Sequence, residues 1–269
     1  MAFELVVLDL DGVVLDDAMR VDPALEDWLR RAMARGLRAT LATGRMPRAT
    51  RPYWERFGIS TPVILYNGAL VHDPESGEAL HACSLPVGLV AAIYPFFAGA
   101  PVDPLFFQGD TLYCLKTTGP VLAFCRDETL DAIELDDPET FLREGSFAKA
   151  LFIGDPEALP GLREKLGPAV GAARLVVSRP DYLELLPPGA SKGAALTFLA
   201  GRLGIPLESV IAVWDHENDL EMLQIAGVGI AMPHSPPHVR AAASYVAPPP
   251  PGGLTALLAE LCPARFRPD

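Results

Sequence analysis

Short apolar runs alternate with helical patterns along the first third of the chain. The runs 3–8, 37–42 and 62–65 are mostly apolar, which is typical of strands buried on both faces of a parallel sheet. Between the first two, an Asp-Pro pair supplies an N-cap and a first helical residue, so the segment 22–35 is predicted to be a helix that stops at Gly36. This alternation predicts a parallel α/β architecture.

Hairpins and strand pairs replace the alternation in the middle of the chain. Apolar runs flank a turn sequence at 108–110, which indicates a hairpin. A strand at 147–153, a helix at 156–166 and a strand pair within 174–186 complete an α+β pattern. This part is predicted to form a separate layer.

The α/β alternation resumes at Ser191. It predicts helices at 191–203, 218–225, 235–243 and 254–261, and strands at 210–214, 228–231 and 245–247. The sequence therefore predicts one α/β core interrupted by an inserted α+β domain.

The charge balance excludes two classes of partner. Against 34 Asp and Glu there are 22 Lys and Arg, a formal net charge of −12 at pH 7, whereas proteins that bind nucleic acid or anionic membranes rely on basic residues. The start of the sequence lacks the basic region of a secretory signal, no apolar run is long enough to cross a bilayer, and the four cysteines are scattered, as expected of reduced thiols. We expect a cytoplasmic protein with no nucleic acid, membrane or obligatory protein partner.

Two carboxylates follow the first predicted strand, in the run Asp9-Leu10-Asp11-Gly12. Ligands bind at the carboxyl edge of an open α/β sheet, and the glycine lets the chain turn away tightly. The spacing suits one carboxylate as nucleophile and the next as general acid and base, with a metal ion reducing their repulsion. A solvated acidic turn is the competing interpretation of this run taken alone.

A second acidic run, Asp215-His216-Glu217-Asn218-Asp219, follows the predicted strand 210–214. It should lie at the same sheet edge as Asp9 and Asp11, where the gathered carboxylates would repel one another without a divalent cation. Carboxylate and carbonyl oxygens with retained waters are the ligands that Mg²⁺ prefers. Complementing a helix dipole would explain single acidic residues of this run, but not its pairing with the first run.

Two further segments fit a phosphate group. Thr43-Gly44-Arg45 closes the second predicted strand and offers a hydroxyl and backbone N–H groups at a helix start. Lys192, at the start of another predicted helix, can meet a phosphoryl oxygen and reduce the charge of a nearby aspartate. Each segment alone is more often structural or solvated, but the four elements together, each at a strand end or a helix start, indicate chemistry on phosphate.

In this combination the sequence resembles the haloacid dehalogenase-like (HAD) superfamily of aspartate-nucleophile phosphatases, in its Cof-type sugar-phosphatase branch. The four segments match the family's four motifs in order, and Asn67-Gly68-Ala69 matches a further family motif before a hairpin. The resemblance covers essentially the whole chain. It implies a Rossmann-like parallel sheet of strand order 3-2-1-4-5, a catalytic core of residues 1–83 and 189–269, and a mobile α+β cap domain at 84–188.

The resemblance also implies a role for each matching residue. Asp9 would attack phosphorus and form an aspartyl-phosphate, while Asp11 would protonate the leaving oxygen and then activate water. The residues that would hold the phosphate are Thr43, Gly44, Arg45, Lys192 and Asn218. The residues that would hold Mg²⁺ are Asp9, Asp11 through its backbone carbonyl, and Asp215, assisted by Asp219.

Three positions depart from the family pattern. Val13 stands where threonine is usual, which removes one hydroxyl. Trp214 and His216 stand where the fourth motif has glycine, and bulky residues there are expected to narrow the metal site. The His216 side chain is either turned to the loop surface or an extra titratable group beside the phosphate.

The sequence thus predicts a Mg²⁺-dependent phosphoric monoester hydrolase that acts on small phosphorylated metabolites, sugar phosphates in particular. Two other functions stay open: a catalytically weak or inactive relative that binds a phosphorylated ligand or partner, and an enzyme that transfers phosphoryl groups between sugars. A dehalogenase is disfavoured, because carbon–halogen cleavage has no need of the acid and base that Asp11 would supply.

Overall fold

Two fully buried apolar strands, Leu5–Leu8 and Val210–Trp214, lie side by side in the central sheet of the structure, a computed structural model that describes residues 3–216 and 220–263. The strands are β1 (Leu5–Leu8), β2 (Arg38–Leu41), β3 (Val63–Leu65), β4 (Leu70–His72), β5 (Ala79–Ala82), β6 (Val102–Gln108), β7 (Thr111–Cys114), β8 (Ala132–Glu134), β9 (Lys149–Gly154), β10 (Arg174–Arg179), β11 (Tyr182–Leu186), β12 (Val210–Trp214), β13 (Val228–Ala231) and β14 (Tyr245–Val246). The helices are α1 (Pro23–Ala34), α2 (Pro47–Phe57), α3 (Leu89–Phe97), α4 (Gly119–Glu128), α5 (Pro138–Glu144), α6 (Leu159–Leu166), α7 (Lys192–Leu203), α8 (Leu220–Ile225), α9 (Pro237–Ala242) and α10 (Gly253–Leu261).

The central sheet is parallel throughout, with β1 near its middle. Its order is β14-β13-β12-β1-β2. A parallel bridge between Ala42 and Ile64 adds β3 beyond β2. The core strands therefore follow the order 3-2-1-4-5, with β14 as an additional edge strand, and the predicted α/β class is confirmed.

Local sequence determines where the helices beside this sheet begin. The Asp22 carboxylate caps α1 by accepting a hydrogen bond from the Ala24 N–H, and proline is the first helical residue. Ser191 caps α7 by accepting from the Ala194 N–H at 3.0 Å. Because of this cap, α7 begins at Lys192 and presents that side chain from its first turn.

The chain divides into two compact units. The first comprises residues 1–44, 50–81 and 191–269, and the second comprises 45–49 and 82–190. The segment 84–188, predicted to be a cap, lies inside the second unit, but its role as a cap stays a prediction. Residues 45–49 group with the second unit although the sequence division placed them in the core.

An apolar core that includes β1 and β12 stabilises the first unit. Alternate residues of β1 and β12 face buried residues of α7 and α9 in it, and Trp214 is among its fully buried members. Burying one such large side chain contributes about 1.5–3 kcal/mol. A small sheet in the order β3-β4-β5 also belongs to this unit.

The second unit is built on a six-stranded sheet in the order β10-β11-β9-β6-β7-β8. Its strands pair antiparallel except for β7 and β8, which are parallel. Residues of α3, α5 and α6 pack with one sheet face in a second apolar cluster. The predicted α+β character is present, while α3, α4 and α5 were not predicted.

Within residues 3–216 and 220–263, no helix combines the length and the hydrophobicity that crossing a membrane requires.

Candidate active site

Two buried aspartates lie where the adjacent strands β1 and β12 end. Leu8 pairs with Val213 in the parallel register, and the Asp9 N–H donates to the Val213 carbonyl at 2.9 Å. Asp215 follows β12 directly, so both carboxylates lie at the carboxyl edge of the sheet. Asp9 is 6% exposed and Asp215 is 4% exposed. Carboxylates buried this far need partners that offset the lost hydration.

Lys192 is the partner of Asp9. Its Nζ lies 2.7 Å from the Asp9 Oδ2, and the lysine is itself 2% exposed. The other carboxylate oxygen, Oδ1, accepts the backbone N–H of Leu10 at 2.7 Å. Both oxygens of Asp9 are thus held by donors, which favours the ionised carboxylate and fixes its direction.

A tight turn after β1 brings the backbone against Asp215. Gly12 has φ +72°, a left-handed conformation, and a Cβ at this position would collide with the Asp215 carboxylate. The turn is closed by hydrogen bonds from the Gly12 N–H to Leu15 and from the Leu15 N–H to Leu10. Asp11 lies in this turn and is exposed to solvent, a position from which a carboxyl group can exchange protons with water.

Thr43 and Gly44 form a second loop of the site. Thr43 is fully buried, its N–H donates to the Ile64 carbonyl at 2.9 Å, and its carbonyl accepts from the Asn67 N–H at 3.0 Å. A Cβ at Gly44 would lie 3.0 Å from the amide nitrogen of the Asn67 side chain. Asn67 therefore supports the threonine loop through its backbone and its side chain.

Gly68 links this loop to the start of α7. It has φ +93°, and a Cβ there would collide with the backbone carbonyl of Ser191. The motif Asn67-Gly68-Ala69, which the sequence offered only as a family match, thus packs the Thr43 loop against the residue that caps the lysine helix.

Asp215 contacts two histidines. The His216 Nδ1 lies 2.7 Å and the His234 Nε2 lies 3.4 Å from the same carboxylate oxygen, Oδ2. Burial raises the pKa of the Asp215 carboxyl, but the hydrogen bonds from the two histidines outweigh this effect, so the pKa lies below its usual 3.8. The hydrogen bond to Asp215 raises the pKa of His234 above its usual 6.5. Asp215 is held as a carboxylate.

Trp214 and His216, the two bulky residues of the fourth motif, lie in different surroundings. The Trp214 side chain is fully buried in the apolar core of the first unit, which accommodates its bulk. The His216 side chain is 46% exposed and contacts Asp215. Sequence reasoning considered His216 but missed His234, because nothing in their spacing along the chain links them.

The other residues predicted for the site lie as follows. Arg45 belongs to the second unit, where its Nε lies 3.4 Å from the Glu128 Oε1. Asn218 and Asp219 lie outside the described residues. The structure brings together Asp9 with Lys192, and Asp215 with the turn that carries Asp11 and Gly12.

The donor chemistry of this edge fits Mg²⁺. Asp9 and Asp215 offer buried carboxylates from adjacent strand ends, and the turn after β1 adds backbone carbonyls beside them. Mg²⁺ is commonly bound by one or two carboxylates with several retained waters. In the described part of the chain, no three His, Cys, Asp or Glu side chains form a group that could hold a metal ion, so the fit rests on these two carboxylates and on backbone oxygen.

A parallel α/β sheet with buried charged groups at its carboxyl edge defines the general class of α/β proteins that bind ligands there. A family model for haloacid dehalogenase-like hydrolases matches residues 6–250. The HMP-PP phosphatase of Cronobacter sakazakii is 32% identical over 234 residues, which cover 87% of this chain and 85% of that relative. The chain belongs to the haloacid dehalogenase-like hydrolase family, and the resemblance drawn from its motifs is confirmed.

Solved structures agree with this assignment. A haloacid dehalogenase-like hydrolase from Bacteroides thetaiotaomicron matches with a TM-score of 0.83 and 28% identity, covering 91% of this chain and 94% of that one. A sugar phosphatase of HAD subclass IIB matches with a TM-score of 0.79 and covers 91% of this chain and 93% of that one. At 23% identity the second likeness shows the fold alone.

Proposed function

We propose that this protein is a Mg²⁺-dependent phosphatase that hydrolyses phosphate monoesters of small metabolites through an aspartyl-phosphate on Asp9. The observation that carries the proposal is the buried Asp9–Lys192 pair beside Asp215 at the carboxyl edge of the parallel sheet. Membership in a hydrolase family and relatives named HMP-PP phosphatase support it.

Asp9 is placed to act as the nucleophile. Donors on both of its oxygens keep it ionised and directed. In the first step an Asp9 oxygen forms a bond to phosphorus as the bond between phosphorus and the leaving oxygen breaks. In the second step water attacks the same phosphorus and releases Asp9 and inorganic phosphate.

Asp11 is proposed to move the proton in both steps. Asp11 is exposed to solvent and lies in the turn that directly follows Asp9 and Leu10. As a general acid it would deliver a proton to the leaving oxygen, and as a general base it would then take one from the attacking water.

Lys192 and Thr43 are proposed to hold the phosphoryl oxygens. The Lys192 ammonium already lies against Asp9, so a phosphate at Asp9 would be within reach of the same positive charge. Mg²⁺, held by Asp9, Asp215 and the Asp11 carbonyl, would offset negative charge on the phosphoryl group. The roles of Gly44, Arg45, Asn218 and Asp219 in holding phosphate or metal remain part of the proposal.

The substrate class is proposed to be small phosphorylated metabolites, with sugar phosphates as its leading members. Relatives named HMP-PP phosphatase support a small phosphorylated substrate. The second unit, in which the sequence placed a cap at 84–188, is proposed to select the group that carries the phosphate.

Turnover of a panel of phosphomonoesters by wild type and two single variants tests the proposal. With Mg²⁺, wild type should release phosphate, and Asp9→Asn should lower the rate by at least about 10³-fold, since the nucleophile is lost. Asp27→Asn removes the same charge from an exposed position on α1 and should keep full activity. Tight binding of a phosphorylated compound without turnover would instead favour a non-catalytic binding protein.

Adding a sugar phosphate to the assay as a phosphoryl acceptor distinguishes hydrolysis from phosphoryl transfer between sugars. Hydrolysis requires inorganic phosphate to be the product with or without added sugar phosphate. A strict requirement for a sugar bisphosphate as activator would replace the proposed phosphatase by a phosphotransferase.

A further inference from the structure

The two histidines at Asp215 converge on one oxygen from two different loops. His216 follows Asp215 in the loop after β12, and His234 lies in the loop after β13. Their nitrogens are 2.7 and 3.4 Å from the Asp215 Oδ2, and Oδ1 takes part in neither contact. The backbone of Gly12 lies against the same Oδ2, since a Cβ there would collide with it.

This arrangement limits the rotation of the carboxylate. The terminal torsion of an aspartate is broad and roughly two-fold, so an unsupported carboxylate exchanges its two oxygens and tilts freely. The two histidine contacts with Oδ2, together with the Gly12 backbone beside it, restrict the carboxylate to one orientation. Only Oδ1 then remains to face a cation.

We propose that His216 and His234 are positioning residues, which hold the Asp215 carboxylate so that its Oδ1 is presented to the cation of the active site. The proposal rests on the proposed function only in taking Asp215 as a ligand of that cation. It assigns a role to His216, which the sequence left open between the loop surface and the phosphate, and to His234, which the sequence did not indicate.

Direct metal ligation by the imidazoles is the competing role. In the described ranges, no three His, Cys, Asp or Glu side chains form a metal-holding group. Both nitrogens instead lie at hydrogen-bonding distance from a carboxylate, and a carboxylate can only accept. Hydrogen bonds to ligating carboxylates are a recurrent support of metal sites, and their loss costs about 10–100-fold in metal affinity.

Calorimetric titration of the full chain with Mg²⁺ alone tests the role without any turnover. His216→Ala should weaken Mg²⁺ binding by about tenfold or more. His234→Ala should weaken it less, because its contact is longer. His238→Ala changes an exposed histidine on α9 and should bind Mg²⁺ like wild type.

Isosteric variants separate positioning from simple loss of structure. An asparagine amide nitrogen replaces the Nδ1 of histidine, whereas a glutamine amide nitrogen replaces its Nε2. His216→Asn should therefore restore Mg²⁺ binding while His216→Gln does not, and His234→Gln should restore it while His234→Asn does not. Circular dichroism in EDTA should show every variant folded, since both side chains are about half exposed.

Three results would overturn the positioning role. The first is unchanged or tighter Mg²⁺ binding in the double variant His216→Ala/His234→Ala. The second is a loss of Mg²⁺ binding that neither the asparagine nor the glutamine variant restores. The third is nitrogen coupling to bound Mn²⁺ in electron spin-echo spectra, which would make the imidazoles metal ligands. The failure of the proposed function looks different: Mg²⁺ would bind with the predicted histidine dependence while no phosphomonoester is turned over.

Discussion

Each unit of the protein contains a buried lysine–carboxylate pair, and the two pairs are almost identical in geometry. Lys192 and Asp9 approach to 2.7 Å with side chains 2% and 8% exposed, and Lys149 and Glu184 approach to 2.6 Å with side chains 6% and 4% exposed. Distance and burial therefore do not distinguish the pair proposed to serve the reaction from the pair that joins two strands. Their surroundings do.

The Lys149–Glu184 pair lies between neighbouring strands. Lys149 is on β9 and Glu184 on β11, and the lysine Nζ lies 4.7 Å from the centroid of the Phe107 ring. The Lys192–Asp9 pair lies where a strand ends and a helix starts, beside a glycine turn and the buried Thr43 loop. We therefore expect a buried pair to serve a reaction where the ends of strands and helices offer backbone donors to a ligand, and to stabilise the fold where it lies between strands.

The largest expected effect is on activity, and it follows from breaking the Lys192–Asp9 pair. Lys192→Met should lower kcat/KM for phosphomonoesters by about 10²–10³-fold, because an oriented positive charge at the phosphoryl group is lost. Lys149→Met, measured at a temperature where it is folded, should keep an activity close to wild type. Steady-state kinetics on both variants checks this, and equal losses would show that the second pair also serves the reaction.

The next effect concerns stability and should be strongest for the second pair. Lys149→Met leaves Glu184 buried without its cation and should lower the free energy of unfolding by about 3–5 kcal/mol. Replacing both residues by methionine should recover most of that loss, since an apolar pair of similar volume needs no counter-charge. Urea denaturation of the single and double variants measures both; a double variant as unstable as the single one would contradict the explanation.

The smallest effect concerns the titration of Tyr182, which depends on how well solvent is excluded beside the Lys149–Glu184 pair. Burial raises the pKa of Tyr182, two residues before Glu184 on β11, to about 12 from a usual 10. The folded state thus favours the neutral phenol, and its contribution to stability is complete below pH 10 and is lost as the pH rises toward 12.

Tyr182→Phe removes this titration, so stability should fall less between pH 10 and 12 than in wild type. Thermal unfolding as a function of pH measures the difference. Parallel curves for the two proteins would show that the phenol is hydrated in the folded state.

The first unit could be predicted closely from the sequence. The strands at 210–214 and 228–231 have the bounds that their apolar runs predicted. A strand that is buried on both faces is apolar throughout, so the limits of its apolar run mark where it begins and ends. The N-cap of α1 and the start of α7 at Ser191 were also predicted from the local sequence. Such signals are local, so they can be recognised in the sequence without any knowledge of tertiary contacts.

The second unit was less predictable. The helix α3 is largely apolar and contains Pro95, and α4 begins with Gly119-Pro120. Glycine and proline indicate turns when read locally, and an apolar stretch without a polar face gives no helical period. Packing in the cluster of α3, α5 and α6 overrides these preferences for α3, whereas α4 is capped by the Thr118 hydroxyl, which accepts from the Val121 N–H.

The site itself was partly predictable. The matching motifs indicated Asp9, Lys192 and Asp215, since each directly follows a strand or starts a helix. The contact of His234 with Asp215 joins two loops and has no pattern in the sequence. The supporting role of Asn67 and Gly68 likewise exists only in the folded chain, where they pack against Thr43, Gly44 and Ser191.

The wide separation of the site residues along the chain has a consequence for how the protein is made. The site joins residues as far apart as Asp9 and Lys192, 183 positions apart along the chain. Contacts of such long range form only after a costly loop has closed. A growing chain on the ribosome therefore completes the entire inserted unit before the lysine can reach its aspartate, and it carries no assembled active site until that moment.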